Sequence, residues 1–173
     1  TSDGGATYGQ VAKLTASDPN VRDYFGNSVA IDGGTVVVGA FNDGNTGVTF
    51  GGSGSAYVCR TTDGGATYAQ VAKLTASDAA PGDRFGQSVA IYGGIIVIGA
   101  NHNDNGGSGA VYVFRTDDGG ATYGQVAKLT ASDAAEGDWF GWSVAIDGGT
   151  VVVGAYAKNG YTGAVYIFRT SDG

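Results

Sequence analysis

Phe85-Gly86-Gln87-Ser88-Val89-Ala90-Ile91-Tyr92-Gly93-Gly94-Ile95-Ile96-Val97-Ile98-Gly99-Ala100 is the stretch whose reading decides the fold. Polar and apolar residues alternate from Gln87 to Ile91, a Tyr-Gly-Gly connection follows, and Ile95 to Ala100 runs apolar without a break. That is the pattern of a half-exposed strand turning tightly into a buried one. Past the polar loop Asn101 to Gly109, Ala110 to Arg115 (AVYVFR) alternates again. The next segment, Thr116 to Thr122, has an Asp-Gly-Gly centre that supplies the positive backbone angles of a hairpin, and Tyr123 to Ala131 (YGQVAKLTA) then makes a fourth strand. Four antiparallel strands joined in this way are one blade of a β-propeller. Helical periodicity is missing, so essentially no helix is expected.

The same pattern is written three times. Phe25-Gly26, Phe85-Gly86 and Phe140-Gly141 stand 60 and 55 residues apart, each followed by Ser-Val-Ala-Ile, a Gly-Gly pair, a valine or isoleucine run and Gly-Ala. This spacing exceeds a helical-solenoid unit and suits a four-stranded blade. The expected architecture is all-β, a single propeller segment over residues 1–173 built from three four-stranded antiparallel repeats. Strand four of one blade falls at 8–16, one blade at 28–76, a second at 88–131, and strands one to three of the last at 143–169. The three phenylalanines are expected to wedge between neighbouring blades, with the following glycine letting the backbone pass beside the ring.

Composition excludes several function classes. A net charge of −7 and the absence of any Lys or Arg cluster leave no electrostatic footprint for nucleic acid. No apolar run approaches the length of a membrane helix, so membrane insertion is not expected. Cys59 takes the slot filled by Phe114 and Phe168 in the other repeats and reads as a small core residue. His102 is the single histidine and lies in a polar loop, so a nucleophilic triad lacks its parts and no enzymatic activity is expected. Lys13, Lys73 and Lys128 recur with Asp18, Asp78 and Asp133 five residues on, as do Asp23, Asp83 and Asp138, either as inter-blade ion pairs or as solvated rim. Asn101, Asn103 and Asn105, followed by Gly106 and with Asp104 adjacent, mimic the alternating spacing of a calcium loop but offer a single carboxylate. They are weak metal candidates, and calcium is the one cofactor the pattern admits.

The segments Phe-Gly, SVAIDGGTVVVGA, GAVYVFR and QVAKLTASD strongly resemble FG-GAP repeats, the units of integrin-alpha-like β-propellers, over essentially the whole chain. The resemblance implies an extracellular or cell-surface adhesion module that binds itself, other extracellular proteins or glycans. Two departures stand out. Phe41, Asn101 and Tyr156 follow Gly-Ala where the family often has proline. The family's calcium loop, placed between the first two strands of a blade, has no room here: only Asp32-Gly33-Gly34, Tyr92-Gly93-Gly94 and Asp147-Gly148-Gly149 join them, too few for the six or more oxygens calcium takes. The turns TSDGGATY, TTDGGATY and TDDGGATY are also similar to the Asp-box of sialidase-type propellers, with Tyr8, Tyr68 and Tyr123 in place of tryptophan. That likeness implies that Asp3, Asp63 and Asp118 accept backbone N–H bonds within the hairpin while the aromatic ring packs beneath.

TSDG occurs at Thr1 to Gly4 and again at Thr170 to Gly173, so both ends fall in the same hairpin and the last blade needs a strand from elsewhere. A closed ring of three blades would ask each sheet to fill a wedge of about 120°, too wide for sheets that pack roughly 10 Å apart. Three arrangements are expected to resolve this: two copies in a six-bladed ring, a longer polypeptide, or head-to-tail association in which each chain lends its first strand. Intermolecular completion is favoured, because an unpaired valine-rich edge invites aggregation. The functional expectation is therefore a non-enzymatic module for adhesion or self-assembly through strand and blade contacts. Its alternatives are a structural subunit of an extracellular filament or matrix, and a glycan-binding propeller whose rim aromatics Tyr24, Trp139, Trp142, Tyr156 and Tyr161 stack on sugar faces.

Overall fold

A computed structural model describes residues 7–44 and 51–170. The first sheet comprises β1 (Ser28–Asp32), β2 (Thr35–Ala40), β3 (Ser55–Arg60) and β4 (Ala69–Leu74) in that order. The second comprises β5 (Phe85–Tyr92), β6 (Ile95–Ala100), β7 (Ala110–Arg115) and β8 (Gly124–Leu129). The third has β9 (Phe140–Asp147), β10 (Thr150–Ala155) and β11 (Ala164–Arg169). All pairings are antiparallel, and the all-β, blade-like reading of the sequence holds.

The apolar run of β6 follows from its position between two other sheets. Ile96 and Ile98 face the first sheet and pack with Val37, Val58, Leu74, Phe85 and Tyr112, whereas Val97 faces the third and packs with Phe140, Val151 and Val153. A strand buried on both faces has no use for alternation. The three sheets thus stack in chain order with the second in the middle. Phe85 and Phe140 are fully buried at the two joints. Phe85 lies 5.5 Å from Tyr112 and 6.0 Å from Phe114, and Phe140 lies 5.4 Å from Tyr166 and 5.9 Å from Phe168. Phe25 meets Tyr57 edge-on at 5.4 Å, and the Gly26 amide donates to the Gly39 carbonyl at 3.0 Å.

Each fourth strand is tied to the loop that opens its own sheet. Lys73 on β4 pairs with Asp18 at 2.6 Å and Lys128 on β8 with Asp78 at 2.8 Å, each carboxylate also accepting a tyrosine hydroxyl, Tyr57 at 2.9 Å and Tyr112 at 2.7 Å. The partners therefore lie some fifty residues earlier in the chain, not five later. Gln70 adds two bonds to Ser17, and Gln125 repeats them on Ser77. Because the Tyr112 ring is fully buried, Tyr112→Phe keeps the packing and deletes one bond to a charged acceptor. A loss of about 1.5 kcal/mol is expected in urea unfolding.

Two single turns of helix appear where none was expected. Asn103–Gly107 forms a wide turn with π-type bonding, and Lys158–Tyr161 forms one helical turn in which Asn159 and Gly160 adopt left-handed angles. Both lie in the loop between the second and third strands of a sheet, where Asn and Gly tolerate positive φ and turn chemistry, not periodicity, sets the path. Residues 8–16, read as a fourth strand, belong to no sheet in this chain. Tyr8 is 87% and Val11 73% exposed, while Ala16 joins Ala40, Tyr57 and Phe25.

Candidate functional site

The two joints between sheets share one chemistry. At the first, the Ser28 hydroxyl donates to the Gly86 carbonyl (2.8 Å) and the Phe85 amide to the Ser53 carbonyl (2.9 Å). At the second, Ser88 donates to the Gly141 carbonyl (2.9 Å) and the Phe140 amide to the Ser108 carbonyl (3.1 Å). The Phe-Gly backbone of each following sheet is thereby pressed against a mid-strand glycine, Gly39 or Gly99. A Cβ on Gly39 would fall on the Gly86 carbonyl oxygen, and one on Gly99 on that of Gly141. Serine, glycine and the incoming Phe-Gly form a socket and plug, which accounts for their recurrence in the sequence.

The third sheet carries the socket residues Ser143 and Gly154 at its outer face. The three atoms nearest a Cβ built on Gly154 all belong to Ser143, the first of them its hydroxyl oxygen, which rotation of the serine side chain moves aside, and Gly154 is not at positive φ. Neither packing within this chain nor backbone conformation demands glycine there, although glycine weakens a strand. The socket forms an open groove of about 520 Å³, lined by Trp142, Ser143, Gly154, Tyr156, Tyr161 and Gly163 among others.

Three of the five expected rim aromatics, Trp142, Tyr156 and Tyr161, line this groove, and a fourth, Trp139, packs against all three. Trp139 stacks on Trp142 at 5.5 Å and on Tyr156 at 5.9 Å, Trp142 stacks on Tyr156 at 5.3 Å, and Tyr161 stands edge-on to Trp139 and Tyr156. Tyr156 and Tyr161 are 51% and 64% exposed. Tyr24 is elsewhere, stacked on Phe41 at 5.0 Å in the first repeat. His102 extends the cluster by stacking on Trp139 at 5.6 Å, a role its polar sequence surroundings did not reveal. Burial, with the Arg84 charge second, holds His102 below the usual imidazole value, so at neutral pH it presents an uncharged ring.

The other candidates play local roles. Asn101 and Asn103 are buried, and the Asn103 amide donates to Asp83 at 3.2 Å. The side chains of Asp104 and Asn105 lie outside the described ones, and among the described residues no three His, Cys, Asp or Glu side chains gather. Asp118 accepts bonds from the Thr116 hydroxyl, the Ala121 and Thr122 amides and the Thr122 hydroxyl, and Asp63 repeats the pattern with Thr61 and Thr67. The Thr122 and Thr67 hydroxyls, followed by the backbone amides, hold both carboxyls far below the usual range. Asp3 lies outside the described residues. Cys59 is buried, and burial pushes its thiol up. No helix among the described residues is long and apolar enough to cross a membrane.

Comparison with known proteins adds the family. No curated protein sequence matches the chain. Among solved structures, Sqt1 of Saccharomyces cerevisiae aligns with a TM-score of 0.54 at 13% identity, over 87% of this chain and 33% of its own. The α-L-arabinanase of Penicillium chrysogenum, solved with arabinobiose, aligns with a TM-score of 0.55 at 14% identity, over 89% of this chain and 48% of its own. The chain thus spans about a third and about half of these two proteins, and the likeness concerns the fold. It does correct one expectation. Exclusion of enzymatic activity, drawn from the missing triad, does not stand, because a hydrolase is built on the same kind of blades. The model of the FG-GAP repeat matches residues 8–59, 68–114 and 123–168; the second and third units join β4 and β8, the strands that precede Phe-Gly, to the three strands that follow, so that sequence unit and sheet are offset by one strand. With three matches spread along most of its length, the chain belongs to the FG-GAP repeat family.

Proposed function

We propose that this β-propeller module works in adhesion and self-assembly at the cell surface or outside the cell, and that the outer face of its third sheet is the adhesive surface. The observation that carries the reading is Gly154. Its counterparts Gly39 and Gly99 are glycine because another Phe-Gly segment presses on them, and Gly154 repeats that identity on an exposed groove of about 520 Å³. The opposite end of the stack offers the plug: Phe25-Gly26, with Val29 and Ile31 at 67% and 65% exposure beside it. A socket at one end and a plug at the other make a heterologous contact, which builds closed rings or open filaments.

Light scattering after size exclusion tests this. The chain is expected to show a mass that rises with concentration, and Gly154→Val to remain a folded monomer, because the added side chain blocks the groove while leaving the two internal joints untouched. A monomer at every concentration for the unsubstituted chain would defeat the reading.

The aromatic cluster favours a second reading, glycan binding, since exposed stacked rings match the apolar faces of sugars, and the arabinanase with the related fold was solved with arabinobiose. Trp139 and Trp142 are the only two tryptophans, so their fluorescence reports on the groove directly. A change that follows protein concentration without sugar supports self-assembly. One that requires an added oligosaccharide supports glycan binding.

A further inference from the structure

We propose that residues 8–18 of a second copy complete the third sheet, adding to β11 as its fourth strand. This rests on the self-assembly reading above but on different residues. The segment Tyr8 to Asp18 (YGQVAKLTASD) is identical, residue for residue, to Tyr123 to Asp133, which contains β8. Its acceptor is also duplicated: β7 reads AVYVFR and β11 reads AVYIFR. The chain therefore contains, in β7 and β8, a template for pairing β11 with this segment.

The template dictates register. Val111 faces Leu129, Tyr112 faces Lys128, Val113 faces Ala127, Phe114 faces Gln125 and Arg115 faces Gly124. Transferred by sequence, Val165 faces Leu14, Tyr166 faces Lys13, Ile167 faces Ala12, Phe168 faces Gln10 and Arg169 faces Gly9. Among the described residues β11 has β10 as its single ladder neighbour, and its Val165 and Ile167 are both 67% exposed. An edge of this length and apolarity is a template for another chain.

Two further features fall into place. Within the chain, each fourth strand clamps a Ser-Asp pair, Gln70 and Lys73 holding Ser17 and Asp18, Gln125 and Lys128 holding Ser77 and Asp78. The third pair, Ser132 and Asp133, is exposed, and the same register places Gln10 and Lys13 of the second copy on it. Asp133 already accepts the Tyr166 hydroxyl at 2.8 Å, as Asp18 and Asp78 accept Tyr57 and Tyr112, and it pairs with Lys158 of its own sheet at 3.2 Å, so Lys13 would join it as a second cation, the reverse of Lys73 standing between two carboxylates. In the second sheet, Tyr123 packs against the core between first and second sheets. Its counterpart Tyr8 would enter the apolar cavity of about 300 Å³ between the second and third sheets, which Val113, Leu129, Ile146, Val151 and Phe168 help to line.

The same chain is a poor donor to its own β11. Ala16 is packed on the first sheet with Ala40 and Tyr57, the Ser17 amide is bonded to Gln70, and the second sheet stands between them and β11. Of the described segments, residues 8–18 of another copy thus fit the role best, and the Phe25-Gly26 of that copy then reaches the Gly154 socket.

The test is a paired cysteine experiment. Chains carrying Ala12→Cys and chains carrying Ile167→Cys are mixed and mildly oxidised, and the products are read on a non-reducing gel, with light scattering of the unsubstituted chain alongside. The expected result is a disulfide-linked heterodimer in the mixture, and a ladder of linked multimers when both cysteines are on one chain. Ala12→Pro, at an exposed position and without the amide a ladder needs, is expected to weaken association roughly tenfold without unfolding the monomer. Cross-linking within a single chain carrying both cysteines would overturn donation between copies. Association without the cross-link, or undiminished in Ala12→Pro, would overturn the strand while leaving the Gly154 contact standing. A strictly monomeric chain would overturn both.

Discussion

Gly99→Ala is expected to lower the stability of the monomer by roughly 3 kcal/mol, the upper range for forcing an extra methyl into a packed joint. The new Cβ would coincide with the Gly141 carbonyl oxygen and crowd the Ser88 hydroxyl. The serine can rotate away. The carbonyl cannot, because Gly141 sits at φ 87° beside the buried Phe140 ring, whose amide is bonded to Ser108. Relief therefore requires the second and third sheets to separate, and separation exposes the cluster of Val97, Val111, Phe140, Val151 and Val153. For a domain whose whole stability is on the order of 5–15 kcal/mol, that is a large fraction. Gly154→Ala supplies the contrast: the atoms nearest its Cβ are those of Ser143, whose hydroxyl can rotate away, and alanine restricts the unfolded chain, so the urea midpoint at concentrations too low for association is expected to stay within about 0.5 kcal/mol of the parent. Far-UV circular dichroism in urea measures both. Equal midpoints for Gly99→Ala and Gly154→Ala would mean that the joint is soft and the socket argument fails.

That contrast also marks what the sequence made legible. Period-2 alternation, the Gly-Gly hairpins and the repeated Phe-Gly were enough for the strands and their blade-like sheets, because each signal is local and written three times. The Asp-box turns were legible for the same reason, since Asp118 meets partners within four residues. The clustering of Trp139, Trp142, Tyr156 and Tyr161 followed from variable positions in one loop region, while Tyr24 escaped it by pairing with Phe41 in its own repeat. His102 was missed because a lone histidine among asparagines carries no periodic mark. The recurring Lys and Asp were legible as a repeated set but not their pairing, because each lysine meets the aspartate that opened its own sheet, some fifty residues earlier, and no local signal marks that distance. Gly154 was visible as a repeated letter, but its meaning needed coordinates showing what Gly39 and Gly99 touch.

Lys73→Met is expected to destabilise the chain by about 2–3 kcal/mol at pH 7, less than the 3–5 kcal/mol of a fully buried pair because the lysine side chain is about a third exposed. Lys73 lies between two carboxylates, Asp18 and Asp43, each 2.6 Å away, and Asp43 is only 5% exposed. Methionine preserves the aliphatic stem but leaves Asp43 buried with only hydroxyl side-chain partners among the described residues, Ser55 and, at 3.1 Å, Tyr57. The pH dependence identifies the cause. In the parent, burial is the largest single influence on Asp43 and works to raise its carboxyl, but the Lys73 bond and charge together with the Ser55 and Tyr57 hydroxyls outweigh it, so the folded value lies below the ordinary one; at Asp18 the Lys73 bond leads and the direction is the same. A carboxyl lowered by folding contributes stability that is present above its unfolded value near pH 4 and is lost as pH falls through the folded value. Without Lys73, burial prevails at Asp43 and the sign reverses: protonation in the folded state relieves the stranded charge, so acidification favours the variant relative to the parent. Urea midpoints of the two proteins are thus expected to stand furthest apart at neutral pH and to converge below about pH 4. A gap that stays constant from pH 7 to pH 3 would assign the loss to packing of the lysine stem and not to the buried carboxylate.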